Sequence, residues 1–209
     1  MRPVTRRQAD HHAARSAATV AQVMSTLQRL LDAGEAFSEI SVQRILEEAG
    51  ISRATFYAHF QGKSDVLVRL TNDLRASLLT LAQQWDPSAG PDSLARFFEE
   101  VIKIHRAHQS VITAVREASA YDSTVDDFYT ADLEGFDETA LRSLLSDQSA
   151  GLTPTDVDAV SASRIIVWGG AQAIAHHIRV DDGTGDSVFA RELAQIWWHG
   201  AYRRPDSTT

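Results

Sequence analysis

The sequence predicts an all-α fold: an N-terminal three-helix helix-turn-helix domain followed by a C-terminal helical body. Three observations carry this. Apolar residues recur at steps of three and four through almost all of the 209 residues. No run alternates apolar with polar residues at the period of two that a half-buried strand requires. Between Ser41 and Phe60, two serines and one glycine stand where two short helices and the turn between them need their caps.

In the first helix, Ala17, Val20, Met24, Leu27 and Leu31 mark one face, and Gly34 offers the left-handed residue that ends it. Ser41 is the N-cap of a helix over Val42–Ala49, and Gly50 allows a positive-φ turn. Ser52 caps a further run through Ala54, Phe56 and His59. Gln61-Gly62-Lys63-Ser64 breaks the pattern. Val66, Leu67, Leu70, Leu74, Leu78 and Leu81 then continue it to Trp85, where Pro87 and Gly90-Pro91 stop it. Further helices follow around Leu94, Phe97, Phe98, Val101 and Ile102, then over residues 111–120, 128–145, 156–179 and 188–202. The predicted boundary falls at 62/63.

A hydrophobic fraction of 44% and a charged fraction of 23% suit a chain that buries a core in water. The absence of Cys removes disulfide and thiolate chemistry and fits a reducing compartment, so the expectation is a cytoplasmic protein. No stretch reaches the ~20 apolar residues of a bilayer span, and no membrane partner is expected. The net charge of −8 conceals an asymmetry. Residues 1–63 hold eight Arg and Lys against six acids, leaving −10 for the rest, and Arg2, Arg6, Arg7 and Arg15 cluster near the start. Phosphate is neutralised locally, so a basic end on an acidic body fits a nucleic-acid partner.

In the segment 41–60, Val42, Ile45, Ala49, Ile51, Phe56 and Phe60 close a small core and leave Ser52, Arg53, Thr55, Tyr57 and His59 facing outward. A helix presented in this way fits the major groove of duplex DNA, its first turn nearest the base edges. Arg53 suits a guanine, while Ser41, Tyr57, His59 and Lys63 are placed for phosphates, and Gln43 joins the expected DNA-contacting set.

The run Ala-Gly-Ile-Ser-Arg-Ala-Thr-Phe-Tyr-Ala-His-Phe, then Gly-Lys-Ser, then Val-Leu, resembles the recognition helix and following helix entry of the TetR family over about residues 38 to 70. Phe97-Phe98 and the ending Ala-Gln-Ile-Trp-Trp-His-Gly-Ala-Tyr are similar to the branch of the mycobacterial repressor of ethionamide activation. Leu46 stands where the family usually has Ala, putting a larger side chain at a helix crossing. The resemblance implies a homodimeric transcriptional repressor that binds operator DNA and is released by a small, mostly apolar effector. It places a dimer interface on the last two helices, at Gly169, Ala173, Ile196 and Trp197. It places an effector pocket at Phe97, Phe98, Phe136 and Trp168, with Gln172 as polar contact.

His105 and His108 are spaced i, i+3 without a third ligand at signature spacing, and no phosphate-cradling loop or nucleophile elbow is present, so neither enzyme, metal nor cofactor is predicted. A helical ligand carrier or enzyme without DNA binding is the competing reading.

Overall fold

The computed structural model describes residues 6–85 and 89–203; the side chains of residues 6–10, 12 and 73 are outside that description. Arg2 and Pro87, and the side chains of Arg6 and Arg7, are therefore outside the described residues. Among the described residues there are helices α1 (Arg6–Asp32), α2 (Val42–Ala49), α3 (Arg53–Tyr57), α4 (Lys63–Gln84), α5 (Pro91–Ala107), α6 (Gln109–Ser119), α7 (Ser123–Ser149), α8 (Ala159–Val180) and α9 (Asp186–Trp197). A π-helical turn, Trp198–Tyr202, ends the series, and no strand is present. The predicted all-α class is what the chain adopts.

The chain divides into two compact units. The first is the chain up to Asn72 with Ser110–Tyr129; the second is Asp73–Gln109 with the chain from Thr130 onward. The first unit thus extends past the predicted 62/63 boundary. The reason is packing: Val66, Leu67, Val111, Val115 and Val125 share one apolar core with Val23, Leu27, Phe37 and Ile45.

In the first unit the buried face of α1 is Val23, Leu27, Leu30 and Leu31. The predicted face lies slightly off this line, since Ala17 is exposed and Val20 and Met24 are half-buried. Among the described side chains of α1, those that meet the core lie in its second half. Helix α2 begins where Ser41 Oγ accepts the Arg44 N–H and ends at Gly50, whose φ of 62° is the left-handed value a residue with a side chain adopts at a cost. Ser52 caps α3 through the Thr55 N–H. Gln22 Nε2 donates to the Ala49 carbonyl at 2.6 Å and satisfies one orphan acceptor at the end of α2. Leu46, the bulky residue at the crossing, is buried with Ile45 and Phe56 in the same core.

The second unit has two apolar clusters. Leu94, Phe98 and Ile102 of α5 pack with Ala190, Leu193 and Ala194 of α9 and with Ile174 and Ile178 of α8. Ala140 and Leu144 of α7 pack with Ile166 and Val167 of α8 and with Trp198 and Tyr202. The last helix, predicted to run unbroken to 202, instead widens after Trp197 into the π turn, which the Arg203 N–H closes on the Trp198 carbonyl at 2.6 Å. Tyr202 is buried there, and the Thr153 hydroxyl donates to its carbonyl at 2.6 Å.

Candidate functional site

Helix α3 is a single short turn-and-a-half with two opposite faces. Phe56 is fully buried and stacks in the core against Phe60, with ring centroids 5.4 Å apart. Burying a side chain of that size contributes roughly 1.5–3 kcal/mol. Across the helix, Arg53 and Tyr57 are exposed, Tyr57 by 51%. The Ser52 and Thr55 hydroxyls lie 2.8 Å apart and steady the first turn between them. His59 is half-buried, just beyond the end of the helix, so the predicted run through His59 is shorter than expected. On α2, Ser41 is spent on its cap and Gln43 donates to Glu47 at 2.8 Å.

Cations around this surface fall into two groups. Arg29 and Arg44 are paired with Glu48, each at 3.0 Å, and Arg44 also reaches Glu35. Arg53 has no partner among the described residues. It is exposed and open to a phosphate or a base edge.

Lys63, predicted at the phosphates, is turned inward. Its ammonium donates to the carbonyls of Phe37 at 2.6 Å, Ile40 at 2.8 Å and Ser38 at 3.3 Å, and sits 4.5 Å from the centre of the Phe37 ring. An ammonium has three protons, and all three are engaged. Burial pushes the group below the usual lysine range, against the pull of Glu117 and Asp122. The residue holds the loop between α1 and α2 in shape. Hydrogen bonding to Ser38 holds Glu117 below the usual carboxylate range, and the Ser64 hydroxyl, 2.5 Å from Asp122, does the same there. Glu117 ties α6 to the loop that α2 follows, and Asp122 ties the turn after α6 to the start of α4.

The second unit contains a cavity of about 470 Å³. Trp85, Phe97, Phe136, Trp197 and Tyr202 form aromatic walls, and α7 lays a polar strip of Thr139, Ser143 and Ser146 along one side. Two of the predicted pocket residues, Phe97 and Phe136, line this space; Phe98, Trp168 and Gln172 do not. Phe98 is buried behind the wall, edge-on to Trp197 at 4.9 Å. Trp168 packs at the margin of the α7–α8 cluster, and Gln172 is exposed on α8.

Trp197, predicted at a dimer face, is turned into the cavity wall. A Cβ on Gly170 would lie 2.9 Å from its Cζ2, so this glycine is what lets the indole lie flat against α8. Gly169, one residue earlier, faces open space. It shares the outer face of α8 with Ile165, Gln172 and Val180, of which Ile165 is 70% exposed; Ala173 is half-buried. On α9, Val188 and Ile196 are exposed, Ile196 by 65%.

Sequence reasoning missed one constellation. His177, Asp181 and Asp186 bring three ligand-type atoms within 4.8 Å of one another. The Arg106 guanidinium already fills that position, with two bonds of 2.6 Å to Asp186 and one of 3.0 Å to the Asp181 carbonyl. His177 meets Asp186 at 2.8 Å and stacks on Phe189 with centroids 4.1 Å apart. The bonds from Arg106 hold Asp186 below the usual carboxylate range. A cation in the centre of the group makes it a clamp on the loop between α8 and α9. His105 is likewise engaged, at 2.8 Å from the Val101 carbonyl.

Residues 33–70 match the sequence model of the bacterial regulatory proteins of the tetR family. Over 186 residues, 87% of this chain and 85% of the relative, the sequence is 25% identical to the HTH-type transcriptional regulator EthR of Mycolicibacterium smegmatis. Among solved structures, the fold is similar to that of NalD, the secondary repressor of the MexAB-OprM multidrug efflux pump in Pseudomonas aeruginosa. The TM-score is 0.72 at 17% identity, over 91% of this chain and all of that one. It is also similar to the transcriptional regulator FadR of Bacillus subtilis in complex with stearoyl-CoA, with TM-score 0.68 at 15% identity over 85% of this chain and 96% of that one. No described helix is long and apolar enough to cross a membrane. Residues 33–70 thus carry a DNA-binding segment of the tetR-family type, and the chain as a whole is similar in sequence to one such transcriptional regulator and in fold to others.

Proposed function

We propose that the chain is a homodimeric repressor whose α3 enters the major groove of an operator and whose grip on it is released by a small, mostly apolar ligand. The observation that carries this reading is the two-faced build of α3, with Phe56 anchored in the core and Arg53 and Tyr57 presented outward. Arg53 reads a base edge, while Ser52, Thr55, Tyr57 and His59, with Ser41 and Gln43 from α2, meet the backbone and groove wall. Residues 1–62 form the reading domain, and residues 63–209 bind the ligand and the second copy. Exposed Ile165 and Ile196, with Gly169 and Gln172 beside Ile165 on α8, form the dimer face, because apolar side chains as open as the two isoleucines are stabilised when a partner covers them.

Helix α4 begins right after the reading motif, and its last turn contributes Ala82 and Gln83 to the cavity. A ligand that fits the cavity better in the released conformation than in the DNA-bound one shifts the population towards release. The names of the similar structures are consistent with this, one being a repressor and another a regulator with an acyl-CoA bound. The protein is expected to act in the cytoplasm and to carry out no catalysis.

Fluorescence anisotropy on duplexes tiled across the DNA upstream of the chain's own coding sequence, at fixed salt, tests the reading. One tile should bind at nanomolar protein and at least ~10³-fold more tightly than a scrambled duplex. Equal affinity for all tiles and the scramble would leave a helical carrier without DNA recognition as the better description.

A further inference from the structure

The aromatic cavity, taken as the effector site under the function proposed above, changes character with depth. Leu94 and Val167 are buried in its lining, and Phe97, Phe136 and Trp197 are half-buried. The three exposed lining residues, Gln83, Arg142 and Ser146, are all polar. The space is therefore apolar within and polar where it meets solvent.

Two charged residues line it, and they differ in how their charge is met. Asp147 is paired with Arg203 at 2.6 Å. Arg142 forms no ion pair among the described residues, although Glu138 stands one turn earlier on α7, at a spacing that allows one. Its guanidinium donates to the Thr139 hydroxyl at 3.1 Å, which holds the cation beside another residue of the lining. That bond uses one N–H of five. The remainder of a guanidinium's planar fork matches the two oxygens of a carboxylate. Ser146, one turn further along α7, adds a hydroxyl to the same rim. We infer that the effector is an amphipathic acid, whose hydrocarbon part lies between Phe97, Phe136 and Trp197 and whose carboxylate Arg142 receives at the rim. No ion is buried in this arrangement: the head group stays in contact with water while the chain is removed from it. Arg142 selects by sign, attracting an anionic head, doing little for a neutral one and repelling a cation.

The test uses decanoate, decan-1-ol and decylamine, chains of one length whose heads are anionic, neutral and cationic at about pH 7. Each is titrated calorimetrically, below its micellar concentration, into full-length wild type, Arg142→Gln and Arg142→Glu. The ratio of decanoate to decanol affinity should fall roughly three- to tenfold in Arg142→Gln, with decanol itself kept within about twofold. In Arg142→Glu, decylamine should bind more tightly than decanoate. Added salt should weaken decanoate binding to the wild type and leave its binding to Arg142→Gln unchanged, a readout that a merely structural role for Arg142 would not move. A decanoate-to-decanol ratio indifferent to Arg142→Gln, or decylamine binding no tighter in Arg142→Glu than in the wild type, overturns the inference about the head group while leaving the cavity as the effector site. If none of the three binds or raises the melting temperature of the wild type, the assignment of the cavity falls, and the inference falls with it.

Discussion

The two units of this chain handle buried polarity in opposite ways. In the first, each helix of the reading motif starts on a serine that accepts a backbone N–H, α2 ends on a left-handed glycine, and Lys63 is spent on three loop carbonyls. In the second, among the described residues, Trp85 Nε1 and Asp137 Oδ1 are buried without a hydrogen-bond partner, and the cavity lies there too. A surface that reads base edges must hold one geometry to within a fraction of an ångström, and full satisfaction of its polar groups rigidifies it. A site that answers to a ligand leaves something for the ligand to complete. Under the proposed function, the satisfied polar groups lie where recognition must be fixed, and the unsatisfied ones where the molecule must respond.

The largest effect that would break this contrast is expected in the first core. Phe56→Ala should cost ~3–5 kcal/mol, read by urea denaturation, and should abolish DNA binding because α3 loses its anchor. A loss under 1 kcal/mol would mean that the reading helix is not held as described.

Next come two cations that the sequence placed at the DNA, Arg53 at a base edge and Lys63 at a phosphate, and that differ in their surroundings here. Lys63→Met should lower stability by ~1–3 kcal/mol, since three carbonyls lose their donor, yet leave the salt dependence of DNA binding unchanged. Arg53→Ala should do the reverse, weakening specific binding by ~1–3 kcal/mol with stability within ~0.5 kcal/mol of wild type. If Lys63→Met instead reduces the salt slope by about one, the lysine is a phosphate ligand after all.

A smaller effect sharpens the contrast from the other side. Gly170→Ala should displace the Trp197 indole from the cavity wall, costing ~1–2 kcal/mol, partly offset by the ~1 kcal/mol that Ala gains over Gly in a helix. Near-neutral stability with altered affinity for an apolar probe such as octylbenzene is the expected pair of results, whereas unchanged affinity would show that the indole does not shape the cavity.

The smallest effect concerns acid. The bonds from Arg106, with help from His177, keep the Asp186 carboxylate below its ordinary value, so the unfolded chain takes up that proton first as pH falls. The clamp's contribution is full above the unfolded carboxylate pKa of roughly 4 and is lost as pH drops through the lower folded value. Thermal melting of wild type and Asp186→Asn from pH 7 to 3 should show curves that converge at the acid end; a constant gap would mean Asp186 does not titrate as described.

How much of this was legible in the sequence follows from how local each determinant is. Ser41, Gly50 and Ser52 act within three residues of themselves, and their caps could be read directly. Lys63 could not, because the carbonyls it binds lie 23 to 26 residues earlier and meet it only through the fold. On α9, Ile196 and Trp197 are adjacent and both apolar, so periodicity alone does not say which faces the cavity and which the outside. The same holds for Gly169 and Gly170, one facing open space and the other pressed by an indole. Gln172 was read as a pocket contact from its helix alone, but its position on that helix turns it outward. The Arg106 clamp joins two acids and a histidine from residues 177–186 to a residue on α5, a pairing no spacing rule announces.

The most direct test of the central claim, that two copies of α3 read neighbouring turns of one duplex, is hydroxyl-radical footprinting on the bound upstream tile. The account predicts two symmetric protected patches centred about 10 base pairs apart, or a whole-turn multiple of that, both weakened together by Arg53→Ala. A single unpaired patch at saturating protein, or protection indifferent to Arg53→Ala, would contradict it.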